Sequence, residues 1–113
     1  MGESVKEFYE QFKKDQGRMQ AAAPDLMKGF GTFYQAVTRK GALETKQKEL
    51  VAVGIALAQS CEACIYLHVK KALGAGATRD EVLEAAAVGV MMQGGPAYTH
   101  FPYVLDALEA NDA

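Results

Sequence analysis

The chain contains two cysteines, Cys61 and Cys64, and His68 follows the second of them by four residues. Glu49 stands ahead of Cys61 with eleven residues between them. On a helix the two sulfur-bearing residues lie one turn apart, with alpha carbons ~5–6 Å from each other, a span that a disulfide closes without moving the backbone. The pair can therefore open and close as a dithiol. Placed in the first turn of a helix, Cys61 meets unpaired amide hydrogens and the positive end of the helix dipole, which favour a thiolate over the free thiol of pKa ~8.5. Cys64 and His68 share a face as i and i+4 partners. The imidazole can take the proton of Cys64 or stabilise its anion, so the dipole favours Cys61 as the reactive sulfur and the histidine favours Cys64.

These residues need a scaffold, and the apolar spacing supplies one made of helices. Glu44 to Gln59 reads as a third helix, apolar on every face from Leu50 to Ala58 and hence central and buried. Glu49 lies where its lysine-bearing turn becomes core. Ser60 is positioned to cap a fourth helix running from Cys61 to about Leu73, stopped by Gly74 and Gly76. If these two helices fold back on each other near Ser60, a rise of ~1.5 Å per residue puts Glu49 about 16 Å and His68 about 12 Å from the turn, with Cys64 about 6 Å from it. Carboxylate and imidazole would be almost level. The carboxylate would orient the imidazole, the imidazole would serve Cys64, and Cys61 would resolve the oxidised product.

The remaining elements are also helical. Ser4 and Glu7 form a capping-box pattern that opens a first helix over 4–16, carrying Val5, Phe8, Tyr9 and Phe12, with Gly17 as its end. A second helix starts near Pro24 and carries Leu26, Met27, Phe30, Phe33, Tyr34 and Val37 towards Gly41. Its aromatic residues read as core or subunit interface, and Gly29 and Gly31 suggest close packing against a neighbour. Thr78 and Glu81 form another capping box, opening a fifth helix through Val82, Leu83, Ala86, Val90 and Met91. Gly94, Gly95 and Pro96 break it, and Tyr98 to Ala110 is the sixth helix. No alternating strand pattern of useful length occurs, and the chain reads as one domain over 1–113.

Composition narrows the function. Half of the 113 residues are apolar, and the formal net charge is −2 with a pI near 5.6. That argues against a nucleic-acid surface, which needs a concentrated basic patch. Lys46/Lys48 and Lys70/Lys71 read as solvated helix edges. The longest apolar runs, Leu50 to Ala58 and Ala85 to Met92, fall short of the ~18 residues that span a bilayer. The N-terminus lacks the charged and apolar regions of a secretory signal. The expectation is a soluble, cytoplasmic protein, and in a reducing compartment a Cys-x-x-Cys pair points to redox chemistry or metal binding over a structural staple.

At Glu49, Cys61-x-x-Cys64 and His68, followed by the turn Gly74 to Thr78 and the helix Glu81 to Val90, the chain resembles the carboxymuconolactone decarboxylase superfamily, in its alkylhydroperoxidase D-like branch. The similarity covers about 25–95. The resemblance implies an all-α fold, an orthogonal bundle of about six helices around a central antiparallel helix hairpin, assembled as a trimer or hexamer. It further implies a thiol-dependent peroxidase or disulfide reductase with a peroxide or disulfide substrate and a dithiol or protein reductant. No cofactor, metal, nucleic acid or membrane enters that chemistry. By the same resemblance Cys64 is the peroxide-reactive thiol, Cys61 resolves it, and Glu49 and His68 form the proton relay. One position departs from the pattern. Ala63 stands where well-characterised members carry a second histidine, which points either to weak peroxidase activity or to thiol–disulfide exchange with a partner.

Two other readings use the same residues. Cys61, Cys64 and His68 could hold a metal with Glu49 or His100 as fourth ligand, although three ligands on one straight helix reach round a tetrahedral ion poorly. A lactone-handling enzyme could use the same pocket, but the decarboxylase branch lacks the cysteine pair. His100 and Tyr98 could line the pocket, or serve an interface or a cap.

Overall fold

The structure is a computed structural model that describes residues 2–113. It consists of α1 (Gly2–Ala22), α2 (Pro24–Thr38), α3 (Thr45–Ala58), α4 (Glu62–Gly74), α5 (Arg79–Gln93) and α6 (Gly95–Ala110), with no strand among the described residues. The all-α expectation and the six-helix count both hold.

The α3–α4 pair forms the expected antiparallel hairpin, turned by Gln59, Ser60 and Cys61. Ser60 takes a left-handed φ of 53°, and the turn is closed by Ser60 N–H on Leu57 O at 3.0 Å and Cys61 N–H on Ala56 O at 3.1 Å. Ser60 is therefore the pivot, and the cap of α4 is Cys61, whose sulfur accepts the Cys64 amide at 3.3 Å. Against the hairpin packs α5. Its Gly89 comes so close that an added Cβ would sit 2.5 Å from Gly54 O. Two facing glycines thus set the α3–α5 separation.

Leu57, Ile65, Val69, Val82, Val104 and Leu108 are fully buried where α3, α4, α5 and α6 meet. Each contributes roughly 1.5–3 kcal/mol by leaving water. The first helix adds Val5 to this core and lays Phe8 and Tyr9 over α4, with Tyr9 O–H donating to Tyr66 O at 2.6 Å. Asn111, at the end of α6, donates to the same Tyr9 oxygen at 3.0 Å.

Several boundaries differ from the sequence reading, each for a local reason. The first helix begins by Gly2 and passes through Gly17 to Ala22. Ser4 is thus inside it and caps nothing. An interior glycine costs a helix only ~1 kcal/mol, and Arg18, Met19, Gln20, Ala21 and Ala22 all favour continuation. The second helix stops at Thr38, short of Gly41, where Arg39 turns extended. Lys48 Nζ takes the freed carbonyls of Val37 and Arg39 at 2.8 and 2.7 Å, and Thr45 Oγ1 donates to Thr38 O at 2.8 Å. The sixth helix starts at Gly95, three residues early, because Pro96 is accommodated in a first helical turn. The Thr78 capping box forms as read: Glu81 N–H donates to Thr78 Oγ1 at 3.1 Å and Thr78 N–H to Glu81 Oε1 at 2.9 Å.

One larger expectation fails, and of the two roles expected for the aromatic face of α2, the core of its own subunit is excluded. The all-apolar α3 is buried on one face only, by Glu49, Val53, Ala56 and Leu57. Val51 and Ile55 are half exposed along a groove of about 450 Å³ shared with Val88 and Met92 of α5. And α2 buries no residue at all. Its Leu26, Phe30, Phe33 and Val37 face outwards with 50–66% of their surface exposed, and nothing lies near Gly29 or Gly31. Apolar spacing says that a helix has a sticky face; it does not say whether this chain covers it.

Candidate functional site

Glu49 is the one buried charged side chain among the described residues, 3% exposed, on the first full turns of α3. Burying a carboxylate is costly unless every oxygen finds a donor. Both do. Oε1 lies 2.8 Å from His68 Nδ1 of α4, and Oε2 accepts the hydroxyl of Tyr34 from α2. The first contact is the one the hairpin count called for. A carboxylate can only accept, so the proton of the shared bond resides on Nδ1 and leaves Nε2 as the nitrogen with a free lone pair. His68 is about one-fifth exposed, a position between core and solvent.

Towards the hairpin pivot, Cys64 lies one helical turn from His68 and Cys61 about two. Cys61 and Cys64 are joined as a disulfide with alpha carbons 5.2 Å apart, within the range expected from helical spacing. Both residues are partly buried. Because Cys61 is the N-cap, its sulfur sits even closer to the unpaired amides of α4 than a first-turn residue would. The Cys64 N–H pointing at it is the kind of contact that favours negative charge on sulfur once the bond is open.

Tyr34 is the site residue that reading the chain missed. Its ring lies nearly parallel to that of His68, with centroids 6.3 Å apart and 19° between planes, and the ammonium of Lys71 sits over the ring at 4.0 Å from the centroid. Burial and the bond to Glu49 raise the Tyr34 pKa well above the ordinary tyrosine value of 10.0, so the hydroxyl remains a donor. A signal did exist. Met27, Gly31, Tyr34 and Thr38 recur at helical spacing and are the partly buried side of α2, about a quarter-turn from the more conspicuous Leu26–Phe30–Phe33–Val37 stripe.

Other residues singled out beforehand lie elsewhere. His100 Nδ1 is 2.8 Å from Pro96 O on its own helix, and its ring packs against Tyr103. Tyr98 is exposed at a separate hollow lined by Val90, Phe101 and Pro102. Among the described residues, no group of three His, Cys, Asp or Glu side chains converges in a way that could hold a metal ion. Of the two suggested fourth ligands, Glu49 is already bonded to His68 and Tyr34, and His100 to Pro96. The lysine pairs are engaged too. Lys46 pairs with Glu81 at 3.1 Å, Lys48 holds the end of α2, and Lys70 and Lys71 lie over tyrosine rings.

A six-helix body whose central hairpin carries a Cys-x-x-Cys at its turn and a Glu–His pair one step further in defines a class of all-helical thiol proteins. The model of the carboxymuconolactone decarboxylase family matches residues 24–108. The chain belongs to that family, in its alkylhydroperoxidase D-like form. A solved carboxymuconolactone decarboxylase family protein from Legionella pneumophila is 35% identical, covers 96% of this chain and 95% of its own, and superposes with a TM-score of 0.84. A Thermotoga maritima structure at 25% identity, covering 95% and 94%, gives the same TM-score. An uncharacterized protein of Cupriavidus necator is 33% identical over 97 residues, 86% of either chain. Among the described residues, no helix is long and apolar enough to cross a membrane.

Proposed function

We propose that this protein is a thiol-dependent oxidoreductase that reduces hydroperoxides or protein disulfides through Cys61 and Cys64, with Glu49 and His68 as its proton relay. The observation that carries the proposal is the 2.8 Å bond between Glu49 Oε1 and His68 Nδ1, one helical turn from Cys64 of the joined cysteine pair. An imidazole held by a buried carboxylate is fixed in orientation and tautomer, with Nε2 turned free to accept. Its Nε2 takes the thiol proton of Cys64.

With a hydroperoxide, the Cys64 thiolate attacks the terminal oxygen, the O–O bond breaks, and the departing alkoxide receives the proton from His68. Cys64 is left as the sulfenic acid. Cys61 then attacks that sulfur, water leaves, and the Cys61–Cys64 disulfide forms. With a disulfide substrate, Cys64 displaces one partner sulfur and Cys61 closes the ring, releasing a dithiol. In either case an external dithiol or protein reductant returns two electrons and two protons. In this cycle the joined Cys61–Cys64 pair is the oxidised stage. With Ala63 between the cysteines, no imidazole stands between them in the chain. That supports thiol–disulfide exchange, which asks for less proton delivery, as the stronger activity.

The reading places the protein in the reducing cytoplasm, as an assembly of identical subunits, a trimer or hexamer. The exposed stripe Leu26, Phe30, Phe33 and Val37 supports the assembly, since a solvated stripe of this kind is costly in a lone subunit. Light scattering checks it. The activity is tested by following peroxide consumption and disulfide reduction with a dithiol donor in the wild type, Cys64→Ser and Glu49→Gln. Equal rates in all three would remove the proposal, and turnover that survives loss of both thiols would favour lactone chemistry instead.

A further inference from the structure

Glu49 has two oxygens, and the relay uses one. The other accepts from Tyr34, a residue of the helix that contributes nothing to the core. We propose that Tyr34 is a positioning residue of the thiol site: by donating to Oε2 it holds the buried carboxylate turned so that Oε1 meets His68. The proposal rests on the Glu49–His68 relay and extends it to a third helix.

The argument is one of satisfied valences. At 3% exposure the Glu49 carboxylate has little water to turn to, and an unpaired oxygen on a buried anion costs more than a lost neutral hydrogen bond. If the Tyr34 hydroxyl is removed, Oε2 has no remaining donor among the described residues. The group then escapes in one of two ways, by rotating away from His68 or by taking up a proton. Either leaves the imidazolium without its counter-charge. His68 becomes a poorer acceptor for the Cys64 proton, and the thiolate becomes scarcer at neutral pH. The ring of Tyr34 has separate duties, since it lies along His68 and under the Lys71 ammonium, so hydroxyl and ring can be removed independently.

Tyr34→Phe keeps the ring and deletes only the donor. In reduced protein, the pH profile of Cys64 alkylation by iodoacetamide, followed by mass spectrometry, should shift to higher pH by about half a unit to one unit. Turnover at pH 7 should fall about tenfold, the scale of one hydrogen bond to a charged group. In the Glu49→Gln background the same substitution should add almost nothing, because Tyr34 acts through Glu49. A Tyr34→Phe protein with wild-type alkylation profile and turnover would overturn the proposal. So would an effect of equal size with and without Glu49. If Tyr34→Phe folds poorly, the comparison is made instead with 3-fluorotyrosine at position 34, whose more acidic hydroxyl must change the alkylation midpoint; an unchanged midpoint refutes the role. Failure here is separable from failure of the redox reading, because a silent Tyr34→Phe beside an inactive Cys64→Ser sinks only the positioning role.

Discussion

The α3–α4 hairpin and α2 have similar apolar content and opposite fates. The hairpin sends Val53, Leu57, Ile65 and Val69 into the core and supplies Glu49, Cys61, Cys64 and His68 from two rigid, mutually packed rods. Helix α2 sends nothing into the core. It is held at its C-terminal end by polar contacts: Tyr34 on Glu49, Thr45 on Thr38, and Lys48 on the last carbonyls. Chemistry that needs sub-ångström constancy is built on the hairpin, while the element that adjusts the carboxylate rides on a helix tied down by a handful of hydrogen bonds. Packing depth and functional contribution are therefore separate properties of a helix in this protein.

The largest expected effect breaks the chemistry while leaving the hairpin standing. Cys64→Ser should lower turnover at least about a hundredfold, as loss of a covalent nucleophile does, with an unchanged circular dichroism spectrum. Next comes the packing contrast itself. Leu57→Ala should cost about 2–5 kcal/mol in urea unfolding, and Phe33→Ala no more than about 0.5 kcal/mol in a dissociated subunit. Equal costs at subunit concentrations that exclude assembly would mean that α2 is covered by its own chain in solution. Gly89→Ala should cost about 1–3 kcal/mol by pushing a methyl group into the Gly54 carbonyl and parting α3 from α5. Thr45→Val should cost about 1 kcal/mol or less, seen as faster amide exchange confined to the last turn of α2.

The smallest effect is alkaline. Tyr34, Tyr66 and Tyr9 all have pKa values raised in the fold, chiefly by burial. The folded form holds these protons above pH 10 where the unfolded chain releases them, so the contribution is complete below pH 10 and declines as pH rises through the folded values. Tyr34→Phe should make the loss of stability above pH 10 shallower than in the wild type.

Much of this was legible from the residues alone. The Thr78 capping box, the break at Gly94 and the cysteine spacing are relations within one turn of chain, and helix geometry settles such relations without further help. The meeting of Glu49 with His68 was also legible, because a short turn between two helices reduces their alignment to a count of rises. Gly17 was misread because a single glycine is a weak stop when helix formers follow it. Ser60 was misread because the residue that bends a hairpin and the residue that caps the next helix need not be the same.

What the sequence by itself determined, then, is the set of helices and the order Glu49, His68, Cys64, Cys61 along the hairpin, since both follow from interactions that close over a few residues. The tertiary structure alone decided that Tyr34 completes the Glu49 carboxylate, that His100 stays on its own helix, and that α2 and one side of α3 keep apolar surface in the open. Those outcomes depend on how each helix is rotated about its axis. That rotation is set by the sum of all packing contacts and polar pairings across the chain, and no periodicity within one segment encodes it.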